Sequence, residues 1–260
     1  MVRGWDDTGA MSPGRPNDDA FPMFPLGSVL LPSMVLPLHV FEDRYRQLVD
    51  DVLEADEPEF GVALIERGSE VGGGDFRSMS GCVARIIEAG RTDDGRWALV
   101  TVGTRRIRVR QWLEDRPYPR ALVEDWPDEP DGPGDATDDV TVDATVDATS
   151  DGRTSGIDEA TLAVTESDLR RVSALGSELG MAGLPPELEF SEDPTLRVYQ
   201  FGVLAPLGSL DRLRLLEAAT VSRRLGLLRT MLAEQEELLR AQLAFGGGPG
   251  QEGDPDSPWS

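Results

Sequence analysis

The 260-residue sequence predicts an α+β protein in which a β-rich lobe precedes a helical bundle. Three observations carry that reading. Over residues 21–126, short apolar runs are separated by Gly, Asp and Pro clusters, the spacing of strands and turns. Over 157–245, leucines recur three, four and seven residues apart, the helical period. Between them, residues 127–156 are mostly Asp, Thr, Gly and Pro and cannot build a packed core. The expected organisation is a disordered tail at 1–20, a β-rich lobe at 21–126, an acidic disordered insert at 127–156, a helical lobe at 157–245 and a second disordered tail at 246–260.

Residues 21–38 are apolar stretches punctuated by Pro22, Pro25, Pro32 and Pro37. Proline rules out a helix interior and suits strands near a sheet edge. Phe41, Tyr45, Leu48, Val49, Val52 and Leu53 then recur at helical spacing, with Glu42 and Asp43 where carboxylates favour the helix dipole. The spacing predicts a helix of roughly 14–16 residues, with Phe41 and Tyr45 on its buried face. Strands are expected at 60–66, 81–88, 96–102, 104–112 and 121–126, with turns at 71–75 and 93–95. Five or six short strands with one helix near the start suggest a compact sheet or open barrel.

In the second half, Leu162, Leu169, Val172, Leu175 and Leu179 line one helical face that Gly180 and Gly183 end. Asp193-Pro194 opens the next helix, Asp as N-cap and Pro at the first position. Two further helices are expected after Ser209 and after Thr220, hinged near Ala219.

The net charge is −23, and residues 127–160 alone carry 11 acids against one Arg. Both lobes are only mildly acidic. All 25 basic residues are Arg. Without Lys, a P-loop, a Ser-Lys dyad and a Schiff base cannot be assembled. The single cysteine, Cys82, forms no internal disulfide, and residues 1–20 hold no apolar segment of the signal-peptide kind. No stretch approaches the ~18 apolar residues of a membrane span. A cytoplasmic protein is expected, with no membrane partner.

Specific residues resemble a known family. Phe24-Pro25-Leu26, Val29-Leu30-Leu31-Pro32, Leu36-Pro37-Leu38 and Phe41-Glu42-x-Arg44-Tyr45 are similar, in that order, to the opening of the substrate-binding N-terminal domain of Lon proteases. Gly81-x-x-Ala84-x-Ile86, Asp94-Gly95-Arg96, Gly103-Thr104-Arg105-Arg106-Ile107 and Tyr118-Pro119-x-Ala121 resemble its later strands. Leu213–Glu217 followed by Arg224-Leu225 resembles its helical ending. The resemblance implies a PUA-like pseudo-barrel followed by a helical bundle, and a non-enzymatic module that recognises unfolded or degron-bearing polypeptides. A separate protease is then a candidate partner. The chain carries no ATPase or Ser-Lys protease part, and neither a cofactor nor a metal is expected.

Candidate client-binding residues are Trp97, Trp112 and Tyr118, aromatics on or beside strands; the plainer reading is that they pack the barrel. A client is expected in an apolar groove or on a free strand edge. Among the motif residues, Pro25, Leu26, Pro37, Leu38, Phe41, Glu42, Arg44 and Tyr45 are read as structural. Glu42 and Arg44, two apart on a helix, do not face one another. Two rival functions start from single features. His39, the only histidine, could serve a hydrolase, paired with Cys82, although an alternating strand suits Cys82 as a buried hydrophobe. Arg106, Arg108 and Arg110 share a strand face that could touch RNA, as a PUA-like fold invites. The plain reading is a solvated face paired with acids, and the −23 charge opposes phosphate binding.

Overall fold

The computed structural model describes residues 20–67, 76–132 and 157–246; the expectations for the tails, for the 71–75 turn and for the insert beyond 132 lie outside the described residues. The β-rich part comprises β1 (Phe21–Leu26), β2 (Val35–Val40), α1 (Asp43–Leu53), β3 (Glu59–Arg67), β4 (Phe76–Arg91), β5 (Trp97–Trp112) and β6 (Arg120–Asp125). The strands form one mixed sheet in the order β2-β5-β4-β3-β1-β6, and β6 also pairs with β5. The path β5-β4-β3-β1-β6 therefore closes on itself as a five-stranded ring. Strand β5 makes this possible by length: Trp97 to Val102 pair with β2, and Ile107 to Trp112 with β6. The sequence pattern divides these residues into two strands, whereas they form one of 16 residues.

The reason is Gly103. Its N–H donates to the Met34 carbonyl at 2.9 Å and its carbonyl accepts from Ser33 N–H at 2.8 Å. A side chain there would stand 2.1 Å from the Leu31 oxygen. The glycine is not a turn but the place where the strand lets the 31–34 loop lie against it, which delivers the chain into β2.

Alternation along the strands sorts two cores. Phe21, Met23, Ala63, Val83, Ile107, Val109 and Ala121 come from all five ring strands and fill the ring. Phe60, Val62, Leu64, Cys82, Ala84 and Ile86 face the other way, covered by Tyr45, Leu48, Val49 and Val52 of α1 and by Val29 to Leu31.

The helical part comprises α2 (Glu159–Glu178), α3 (Pro194–Leu204), α4 (Ser209–Glu217) and α5 (Val221–Gly246). Its caps follow the sequence: Asp193 accepts from Leu196 N–H with Pro194 opening the helix, and Thr220 Oγ1 accepts from Arg223 N–H at 3.2 Å. Leu162, Leu169 and Val172 of α2 pack against Leu225, Leu228, Met231 and Leu232 of α5. The two parts are not separate cores, since Tyr199 of α3 and Leu216 of α4 join the outer core of the sheet. Among the described residues, no helix is long and apolar enough to cross a membrane.

Three expectations need correction. Helix α1 begins at Asp43 and has 11 residues, so Phe41 lies ahead of it and is 56% exposed instead of buried beside Tyr45. Glu42 is the N-cap residue with extended backbone, which turns its carboxylate back to accept from Arg44 Nε at 3.0 Å. These two residues do face one another, because the helical spacing that would separate them has not yet begun. Finally, residues 128–131 belong to the folded part. Glu129 N–H donates to the Ala219 carbonyl at 2.9 Å, and the Asp131 carboxylate accepts from Ser222 N–H at 3.1 Å in the first turn of α5.

Asp128 is the centre of that attachment. Its carboxylate accepts from Arg106 Nη2 at 2.5 Å, and from Arg224 Nη2 and Nη1 at 2.6 and 3.0 Å. Arg106 also donates to the Leu216 and Ala218 carbonyls, and Arg224 to those of Leu215 and Ala218. These are carbonyls left open at the C-terminal end of α4, where the helix dipole favours cations. The Arg224 guanidinium lies 4.1 Å from the Tyr199 ring centroid. One carboxylate and one helix end thereby hold the ring strand β5 to the bundle.

Candidate functional site

Strand β2 stands at the end of the sheet and, among the described residues, pairs only with β5. Its residues alternate: Val35, Pro37 and His39 are exposed, while Leu36 and Leu38 pack against the outer core. The outward row continues into Phe41. Opposite it on β5 are Val102, Val100 and Ala98, paired with Val35, Pro37 and His39. Beyond Val100, β4 shifts register between Ile86 and Glu88, and the extra residue, Ile87, is 61% exposed. Val35, Pro37, Val100 and Ile87 thus make an apolar face on the side of the sheet that, among the described residues, no helix covers.

At the Phe41 end the face runs into an open groove of about 430 Å³ lined by His39, Phe41, Trp97 and the 92–96 turn. That turn is rigid. Thr92 N–H donates to the Arg96 carbonyl, Gly95 takes φ +80°, and the Asp94 carboxylate accepts from Thr92 Oγ1 at 2.6 Å. The Thr92 hydroxyl and then the Arg96 N–H hold Asp94 below the usual carboxylate range. Arg46 of α1 donates to the Gly95 carbonyl and ties the turn down.

The three aromatic candidates separate. Trp97 lines the groove, half-buried, its Nε1 donating to Asp50 at 3.2 Å. Tyr118 lies against the outer core, and its hydroxyl donates to Asp51 at 2.8 Å. Burial and the Asp51 carboxylate push that hydroxyl up to about 12. Trp112 packs on the ring core beneath Arg77, whose guanidinium is 5.0 Å from its ring. Only Trp97 is therefore placed at the groove. Phe41, Val35, Val100 and Ile87 were missed as surface residues. The legible clue is the odd-numbered row Val35-x-Pro37-x-His39-x-Phe41, in which a period of two continues into the start of the helical period.

The remaining motif residues divide by position. Pro25, Leu26 and Tyr45 are buried, Leu38 is half-buried, and Pro37 is exposed. Arg44 reaches Glu42 and stands 3.9 Å from Asp115, linking the start of α1 to the segment after β5.

Neither rival feature gains support. His39 is exposed on the edge strand, whereas Cys82 is fully buried in the outer core, paired in register with Val62 and Arg106. Burial pushes the Cys82 thiol up to about 12. The thiolate is the reactive form, so Cys82 is expected to resist a thiol reagent at pH 8 and to label fully in denaturant; stoichiometric labelling of the native protein would contradict its burial. The arginine row is largely neutralised. Arg106 is buried under the bundle, Arg105 binds Glu59 and Asp125, Arg110 pairs with Glu124, and Arg108 lies 4.0 Å from the Trp126 ring centroid. The row shares a strand face, but the α4–α5 junction covers its first member. Among the described residues, no group of three or more His, Cys, Asp or Glu is placed to hold a metal.

Comparison with known proteins agrees with this architecture. The "Lon protease 2" of Sorangium cellulosum is 32% identical over 125 residues, 47% of this chain and 15% of that protein. The "Lon protease" of Desulfosudis oleivorans is 33% identical over 106 residues, 38% of this chain and 12% of that one. The chain thus spans a small part of the proteases it matches. A crystal structure of a Lon N-terminal domain protein from Xanthomonas campestris is 26% identical with a TM-score of 0.50, covering 83% of this chain and 98% of that one. The family model for the ATP-dependent protease La (LON) substrate-binding domain matches residues 20–234, from the first strand of the ring into α5. With the ring, the appended edge strand, α2 to α4 and the first half of α5 inside that match, the chain belongs to the Lon substrate-binding domain family.

Proposed function

We propose that this chain is a polypeptide-binding module that captures unfolded, apolar-rich protein segments and performs no bond-breaking chemistry of its own. The supporting observation is the exposed row of Val35, Pro37 and Phe41 beside Val100 and Ile87, apolar side chains left uncovered on one sheet face. Contiguous exposed apolar surface of this kind marks an interaction site. Family membership points the same way, since the matched model is that of a substrate-binding domain. Transfer of captured clients to a separate protease belongs to this proposal.

The test is fluorescence anisotropy with a permanently unfolded, reduced and carboxymethylated protein as probe and its native form as control. Selective binding of the unfolded form is expected. Phe41→Ala is expected to weaken it about tenfold, equivalent to about 1.4 kcal/mol, while leaving the melting temperature unchanged because Phe41 contributes little to the core. Equal binding of folded and unfolded probes, or none, would overturn the reading.

A further inference from the structure

We infer that the outer edge of β2 takes the main chain of the captured polypeptide, adding it to the sheet as a further strand; the inference rests on the polypeptide-binding reading and specifies its chemistry. The register decides which groups are available. Gly103 N–H donates to the Met34 carbonyl, and the pairing of Val35 with Val102 continues from it. In an antiparallel pair, hydrogen-bonded and non-hydrogen-bonded positions alternate. Leu36, Leu38 and Val40 therefore direct their N–H and C=O groups at β5, and Val35, Pro37 and His39 direct theirs away from the sheet. Pro37 fits this parity, since its missing N–H falls on the outer side, where the β2–β5 ladder loses nothing.

Soluble proteins usually blunt such an edge with charged residues or cover it. Strand β2, Val-Leu-Pro-Leu-His-Val, carries no acid, Lys or Arg, and among the described residues no strand pairs with its outer side. The offered groups are the N–H and C=O of Val35 and His39 and the C=O of Pro37. These span about 13 Å at the usual strand rise, so the occupant is an extended stretch of about five residues. Its main chain satisfies the edge, and every second side chain meets the apolar face at Val35, Pro37 and Val100. Pro37 leaves one carbonyl of the occupant unpaired and keeps the added strand short. That suits reversible capture of many sequences, because main-chain bonds carry affinity without reading side chains.

The test uses a fluorescent nine-residue peptide of alternating Val and Thr with an Arg at each end. N-methylation is introduced at the Val residues in one version and at the Thr residues in another. Methylation keeps the side chains and removes N–H donors on one edge of an extended strand only. One version is expected to bind roughly three- to tenfold more weakly per lost bond, and the other to match the parent. In the protein, His39→Pro, which removes both the side chain and the edge N–H, is expected to bind three- to tenfold more weakly than His39→Ala, which removes the side chain alone. Circular dichroism confirms the fold of each variant. Equal behaviour of both methylated peptides, or failure of the parent peptide while the unfolded protein still binds, overturns edge pairing and leaves the polypeptide-binding reading standing. Failure of the unfolded protein and the peptide together overturns both.

Discussion

Asp128→Ala is expected to destabilise the folded protein by about 3–5 kcal/mol, the range for removing one partner from a buried ion pair. Arg106 and Arg224 are 4% and 1% exposed, and among the described residues Asp128 is the one carboxylate bonded to both guanidiniums. Without it, two buried cations face each other across the α4 C-terminus with carbonyls and the Tyr199 and Trp126 rings as partners but no counter-charge between them. Burial already presses Arg106 toward its neutral form, lowering its pKa. The loss is measured as the difference in urea unfolding free energy at neutral pH. A second variant with Arg106→Met beside Asp128→Ala is expected to recover part of it, because an apolar side chain carries no unpaired charge. A loss for Asp128→Ala under about 1 kcal/mol would mean that the pair behaves as a solvated surface bridge.

Gly103→Ala is expected to cost about 3 kcal/mol, at the upper end of overpacking. The added methyl would lie 2.1 Å from the Leu31 oxygen, which is backbone and has no rotamer through which to yield. Relief requires the 31–34 loop to move off β5, breaking the Ser33–Gly103 and Gly103–Met34 hydrogen bonds. The same loop sets the start of β2, so peptide binding should fall with stability in this variant. The corresponding readouts are urea unfolding and anisotropy on the same sample. An unchanged midpoint would show that the loop is not pressed against the strand. Strand breakage at this glycine, the simplest reading of the sequence, predicts instead that alanine would be tolerated.

The clearest elements in the sequence were those governed by short-range chemistry. Asp193-Pro194 reads as a helix start and is one, because a carboxylate and a fixed φ act within a single turn. Val221, Leu225, Leu228, Leu232, Leu239 and Leu243 of α5 read as one apolar stripe, and all are buried except Leu243, which is half-buried. The site was less legible. Phe41 reads as the first buried position of α1 only if the helix begins there, and a helix start is decided by which N–H groups lack partners, two residues later in this case. Trp97, Trp112 and Tyr118 are equally good candidates by type and local pattern. They differ in what packs over them, Asp50 and Arg91, Arg77, and Asp51 respectively. Arg106 shows the same limit: its alternation with Arg108 and Arg110 is correct, yet burial depends on a junction more than 100 residues away.

From sequence alone came the class, the order of elements, the lack of Lys-based chemistry and the family, because periodicity, composition and ordered motifs are properties of the chain itself. The closing of β6 onto β5, the outer side of β2 that no described strand pairs with and the burial of two arginines around Asp128 were settled only in three dimensions. Each depends on long-range pairing, and which edge is left open or which charge is covered is fixed by the partner across the gap, not by the residue's own neighbours.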